Sequence, residues 1–213
     1  MKLGDGIKAY EDLVKNSLKN ILPETSFLVL QGTKRVPFWD EAEDGPGGWC
    51  WWDSFDFTGE LLLPSQINPS KTIQNLRQFF EHLIAPESAD GCNWHPSQIH
   101  LFGFAQGGTL AGELALSFQK AHMKDTPCVF RSIVSVSGEL LTFPTAQFVP
   151  NEQSTSVLFC QRKVKGKVNE KGLKAFKRAF GDSQVQSTEL PSEGISMLRG
   201  SEWENVIRYS MSF

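Results

Sequence analysis

Apolar residues recur at helical spacing from Ile7 through Tyr10, Leu13, Val14, Leu18 and Ile21, and Pro23 stops them. The first predicted element is therefore an amphipathic helix. Ser26-Phe27-Leu28-Val29-Leu30 is a short apolar run closed by Gly32, which predicts a buried strand. Residues 33–69 show no sustained period and predict a long loop. It holds Asp44-Gly45-Pro46-Gly47-Gly48 and the cluster Trp49-Cys50-Trp51-Trp52. Loops of this length are more often functional than accidental.

Helical spacing returns over Ser70 to Leu83, with Ser70 as N-cap. A strand follows over Gln98 to Gly103, then a helix to about His122. Val129 to Ser137 and Val157 to Cys160 are further apolar strands, Glu170 to Phe180 a surface helix. Val185 to Leu190 alternates like an edge strand, and Trp203 to Met211 closes the chain as a helix. Strands alternating with helices predict an α/β fold, its central sheet mainly parallel and covered by helices on both faces. No repeat or linker composition divides the chain, so one domain over residues 1–213 is expected.

Composition narrows the function classes. The 213 residues suffice for a real core. A net charge of -3 offers no general attraction for nucleic acid or anionic lipid. The basic cluster Gln161-Arg162-Lys163-Val164-Lys165-Gly166-Lys167 is too local to change that. Cys50, Cys92, Cys128 and Cys160 lack CxxC spacing, and no histidines bracket them as in a zinc site, so no metal is expected. Cys128 and Cys160 lie beside apolar runs and read as buried free thiols. The N-terminal MKLGDGIKAYEDLV has no apolar core of a signal peptide, and no apolar run approaches the roughly 18 residues of a membrane span. A reducing compartment, cytosol or nucleus, is expected.

Candidate chemistry concentrates at LFGFAQGGTLAGELAL, Leu101 to Leu116. It has the form of a nucleophile elbow, G-x-S-x-G, a tight strand-to-helix turn whose neighbours must be small. Gly103, Gly107 and Gly108 meet that need. The helix N-terminus favours negative charge at the reacting centre. The N–H of Gln106 would be half of an oxyanion hole. The nucleophile position, however, holds Ala105, which has no atom that can attack a carbonyl.

Gly103-Phe104-Ala105-Gln106-Gly107-Gly108 resembles the GFSQGG elbow of the phospholipase/carboxylesterase family, which includes the acyl-protein thioesterases. Weaker pieces agree in order. Leu3-Gly4-Asp5-Gly6 resembles the tail of that family's HGLGDTG oxyanion loop, and Trp51-Trp52-Asp53 its WFD segment. Ser135-Val136-Ser137-Gly138 resembles its strand ending in LSG, and Glu193-Gly194 the EG before its histidine. The resemblance implies an α/β-hydrolase fold, an ester or thioester substrate, no cofactor, and oxyanion-hole positions at Leu3 and Gln106. It also implies that the family's first strand and the His-Gly of the loop would precede Met1.

The same resemblance implies three vacant catalytic positions. The serine is Ala105. The acid loop reads Gln161-Arg162-Lys163-Val164-Lys165-Gly166-Lys167-Val168, with Lys165 where the carboxylate belongs, and Met197 stands nearest the histidine's place. The four histidines are His82, His95, His100 and His122, none downstream of the acid loop. His95 and His100, which flank a strand entry, read as solvated or capping groups. A triad in family order is absent, and a positive charge at Lys165 could not orient an imidazolium. The leading expectation is a pseudo-hydrolase that binds an acyl-like molecule or a protein partner. One alternative is an active esterase or thioesterase using other residues, for instance Ser137, Ser196 or Cys160. Another is an interaction subunit whose contact is the loop of Trp49, Trp51 and Trp52, since three indoles in one loop are hard to bury completely.

Overall fold

Four parallel strands organise the larger part of the chain. In the computed structural model they are β3 (His100–Phe104), β4 (Ser132–Val136), β5 (Ser156–Arg162) and β6 (Val185–Leu190), side by side in that order. The structure describes residues 7–37, 48–121, 128–141, 155–191, 194, 197–210 and 212. Two compact units divide the chain, residues 1–69 and 70–213.

The sheet lies in the second unit. Phe104 pairs with Val136, and Val136 with Cys160, so the C-terminal ends of β3, β4 and β5 share one edge. Every residue of β4 is buried, as are Val157 to Arg162 of β5. Such continuous burial arises when helices cover both faces of a parallel sheet. β6 ends the strand order, as the sequence reading expected of an edge strand, but its burial does not alternate: Val185 and Leu190 are buried, while Gln186, Ser187 and Glu189 are exposed.

One face is covered by α3 (Gln106–Ala121) and α4 (Glu170–Phe180), which follow β3 and β5. Phe176 of α4 lies 5.2 Å from the Phe159 ring. Gly112 of α3 lets Phe176 approach, since a Cβ there would stand 3.0 Å from that ring. α2 (Ser70–Ile84) packs on α3, and Phe80 and Phe118 both meet the Phe130 ring edge-on. The other face is covered by α5 (Glu202–Ser210). Its Val206 and Tyr209 join Phe104, Val134, Val136, Leu158, Cys160, Leu190 and Leu198 in one apolar cluster. Full burial of one such aliphatic or aromatic side chain is worth about 1.5–3 kcal/mol, so this cluster is a main source of the unit's stability.

In the first unit, α1 (Ile7–Leu13) runs through a wide π turn at Val14–Leu18 into a last helical stretch, Lys19–Ile21. Ser26–Leu30 is not a buried strand: it pairs with no strand among the described residues, and Leu28 is 58 % exposed. An apolar run becomes a strand only where a partner ladder takes up its backbone groups. The region from 33 to 69 is more structured than a plain loop. β1 (Lys34–Arg35) pairs antiparallel with β2 (Trp49–Cys50). Gly32 allows the close approach, because a Cβ there would lie 2.3 Å from the Cys50 carbonyl oxygen. The Asp44–Gly48 stretch falls outside the described residues except for Gly48.

Candidate functional site

The elbow forms as a sharp turn between β3 and α3. Ala105 adopts φ 48°, the left-handed conformation that costs a residue with a Cβ roughly 1–2 kcal/mol. Its N–H donates to the Val136 carbonyl at 2.8 Å, and its carbonyl accepts from the Thr109 N–H at 3.0 Å. The glycines make room. A Cβ on Gly103 would lie 2.1 Å from the Gly107 carbonyl oxygen, and one on Gly108 2.6 Å from Ser135 Oγ. Gly138, after β4, closes on the same turn, 2.7 Å from the Ala105 oxygen by the same measure. Gln106 is the first residue of α3. The result is a tight strand-to-helix turn with Ala105 at its left-handed position.

Met197 is half-buried and packs, as Ala105 and Trp203 do, against the apolar cluster on the α5 face. The alanine and the methionine therefore pack on the same buried apolar cluster. A network that the sequence does not announce holds Met197 in place. Arg162, the last residue of β5, reaches Glu202 at the start of α5 with two hydrogen bonds, Nη1 to Oε1 at 2.7 Å and Nη2 to Oε2 at 2.5 Å. Arg162 Nη2 also donates to the Met197 carbonyl at 2.9 Å, and the Arg199 N–H donates to Glu202 Oε2 at 2.8 Å. The Arg162 hydrogen bonds hold the Glu202 carboxyl below the usual glutamate range, against the opposing effect of burial.

Lys165 takes no part in this network. It occupies a two-residue turn between Val164 and Lys167, which exchange hydrogen bonds of 2.9 and 3.1 Å. Lys165 at φ 51° and Gly166 at φ 74° give the turn its two left-handed positions. The lysine is exposed, at the edge of the sheet where the elbow also lies but on the strand two places away.

The other potential reactive groups are in unsuitable surroundings. Cys160 is buried in β5, and desolvation pushes its thiol up to about 12, so it is protonated at neutral pH. Cys128 is half-buried rather than buried, and its thiol is raised to about 11 by the same cause. Burial also raises the Cys50 thiol. Ser137, the residue after β4, is left-handed at φ 55°. Its hydroxyl oxygen is buried with no hydrogen-bond partner among the described residues. His100 begins β3, about 16 Å of extended chain from Ala105. Its Nδ1 lies 2.8 Å from Ser132 Oγ, and burial lowers its pKa. His95 caps the turn Pro96–Gln98, where its ring accepts from the Ser97 N–H.

Leu3, Ser196, Glu193 and His122 lie outside the described residues. Trp49, Trp51 and Trp52 belong to the first unit. Trp51 and Trp52 are buried, so the expectation that three indoles would stay partly open holds for Trp49 alone. Trp49 is half-buried beneath the Arg35 guanidinium, 4.2 Å from the ring centre.

The family model for phospholipase/carboxylesterase matches residues 3–163. An uncharacterized hydrolase of Mycosarcoma maydis is 31% identical over 212 residues, covering 99% of this chain and 73% of the relative. A second uncharacterized hydrolase, from Schizosaccharomyces pombe, is 32% identical over 109 residues, 51% of this chain and 41% of its own length. Among solved structures, Arabidopsis thaliana SOBER1 superposes with a TM-score of 0.66 at 20% identity, over 99% of this chain and 94% of its own. The Bacillus cereus carboxylesterase gives 0.62 at 15% identity, over 99% and 84%. At those identities the superpositions establish a shared α/β-hydrolase fold.

Proposed function

Since the chain belongs to the phospholipase/carboxylesterase family of α/β-hydrolases, we propose that it is a pseudo-hydrolase, one that keeps the fold and the elbow but binds rather than cleaves. The observation that carries this reading is Ala105 in the strained conformation of the elbow. Strain of that kind persists where the surroundings impose it, and here Gly103, Gly108 and Gly138 pack the turn tightly. The elbow is kept by the fold, without the atom that once needed it.

The remaining positions support the same reading. A triad works because an imidazole takes the nucleophile's proton and a carboxylate orients that imidazole. Here the histidine's place holds a thioether packed on an apolar cluster, and the acid's place holds an exposed lysine. An acyl-like ligand binding beside the elbow would meet apolar side chains, Ala105 among them, and no nucleophile at Ala105. The active alternative gains nothing from Cys160, whose buried thiol is protonated, or from Ser137, whose hydroxyl has no base within reach among the described residues.

Incubation with a fluorophosphonate probe and with short-chain acyl esters tests the proposal. The expected result is no covalent adduct and no turnover above the uncatalysed rate. Labelling or turnover that disappears when one pocket residue is replaced would overturn it.

A further inference from the structure

Charge is distributed very unevenly along the chain. Residues 162–178 hold eight of the 21 Lys and Arg and one of the 24 acidic residues. The other residues hold 13 basic and 23 acidic ones. Read linearly, the basic cluster around Lys165 looks local, because Val168-Asn169-Glu170 interrupt it. The fold reverses that impression. α4 starts at Glu170 and buries Gly172, Ala175, Phe176, Ala179 and Phe180. That leaves Lys171, Lys174 and Arg178, spaced three and four apart, on its exposed face. The turn bearing Lys165 and Lys167 runs directly into this helix.

Part of the charge is already neutralised. Arg162 pairs with Glu202, Lys163 with Glu189, and Lys177 with Asp182. Lys165, Lys167, Lys174 and Arg178 have no ion-pair partner among the described residues. Val164, 51 % exposed, stands at the base of the turn among them.

We propose that this stripe docks the protein onto an anionic phospholipid surface. Its composition separates the possible partners. Protein–protein interfaces are depleted of lysine and rely on aromatic or arginine anchors. Here the aromatic residues of α4, Phe176 and Phe180, face the core. Single-stranded nucleic acid needs exposed rings on which bases stack, and the stripe has none. Lysines are compact point charges on flexible stems, which suits a diffuse field better than fork-like recognition. An apolar valine beside them can enter the headgroup layer. The turn also lies on the sheet edge that carries the elbow, so docking would bring that edge towards the bilayer. This proposal does not depend on whether the elbow is catalytic.

Sedimentation of the full chain with phosphatidylcholine vesicles, with and without phosphatidylserine, provides the test. Binding is expected only to vesicles containing phosphatidylserine, and to weaken steeply as salt shortens the screening length. Replacing Lys167, Lys174 and Arg178 by Gln removes three exposed charges and should weaken binding roughly a hundredfold. Replacing Lys8, Lys15 and Lys19 of the first unit by Gln should leave it unchanged. Absence of binding at low salt, or equal loss with both triple variants, would overturn the proposal. So would tighter binding to polyglutamate or RNA than to the vesicles.

Discussion

The guanidinium of Arg162 and the carboxylate of Glu202 form a buried two-point ion pair, 2.7 and 2.5 Å long, that ties the end of β5 to the start of α5. The same guanidinium holds the Met197 carbonyl. In a working triad, the acid loop and the histidine loop communicate through a carboxylate and an imidazole. Here a salt bridge links the end of β5 with the segment that follows β6. The pair thus ties the end of β5, the Met197 backbone and the start of α5 together.

Removing one partner of this pair should cost far more than removing both. Glu202→Gln leaves a buried guanidinium without its counter-charge and should destabilise the protein by about 3–5 kcal/mol. Arg162→Met combined with Glu202→Leu replaces the pair by apolar bulk and should lie much closer to the parent. Urea unfolding of the parent and the two variants measures this. A double variant as unstable as Glu202→Gln would show that the pair contributes more than mutual neutralisation.

The pair also sets an acid limit. A carboxyl whose pKa falls on folding stabilises the native state wherever the unfolded carboxyl would be ionised, and that contribution disappears as pH drops through the folded value. Glu202 is lowered from an ordinary value near 4.5, chiefly by the Arg162 hydrogen bonds. Its contribution should therefore be complete at neutral pH and fade at pH values below 4.5. Measured across that window, stability should fall more steeply for the parent than for Glu202→Gln. Parallel slopes would assign the acid sensitivity to other carboxylates.

Much of this fold can be read in advance from period alone. β4 and β5 are rich in apolar residues and buried nearly throughout because helices cover both their faces, and α4 spans Glu170–Phe180 as its apolar spacing predicts. Ser26–Leu30 misleads because an apolar run says nothing about whether a neighbour will pair with it. The elbow is legible because its glycines answer to a steric demand at neighbouring positions. The Arg162–Glu202 pair is not, since 40 residues separate its members and no local pattern marks two charges that meet only after folding. The basic stripe escapes for a related reason: it bridges a turn and a helix, and only the helical period aligns Lys171, Lys174 and Arg178.

Thiol reactivity should sort the cysteines by burial. Cys92 is exposed, Cys50 and Cys160 are buried, and all four cysteines are free. At pH 8 in the native state, iodoacetamide should modify Cys92 first. Cys160, pushed up to about 12, should resist until the protein unfolds. Peptide mass spectrometry after a short exposure reads the order. Rapid native labelling of Cys160 would revive it as a nucleophile.

The glycines at the elbow should be far less replaceable than one in the Lys165 turn. Gly103→Ala places a Cβ 2.1 Å from a backbone oxygen, and Gly138→Ala places one 2.4 Å from the Thr109 nitrogen. Neither neighbour can rotate away, so each change should cost about 3 kcal/mol, the upper end of the overpacking range, or prevent folding. Gly166→Ala meets nothing within 4 Å and bears only the strain of φ +74°, about 1 kcal/mol. Thermal denaturation of the three variants should show that order.

Restoring the missing hydroxyl should not restore an enzyme. Ala105→Ser adds the attacking atom at a backbone already in the left-handed conformation, and its partly buried hydroxyl should cost no more than about 1–3 kcal/mol, so the variant should fold. Activity is another matter, because members of a triad act as a unit and a serine without its base gains little over an inert site. Among the described residues, the nearest histidine along β3 is His100, at the opposite end of the strand. The variant should hydrolyse short acyl esters no faster than the parent. Ala105→Gly supplies the complementary measurement: it removes the Cβ strain of roughly 1–2 kcal/mol against an entropic cost of about 0.5–1 kcal/mol, and should be slightly more stable. A marked gain of turnover in Ala105→Ser would mean that some group now able to take its proton already waits at the elbow, and the pseudo-hydrolase reading would have to be abandoned.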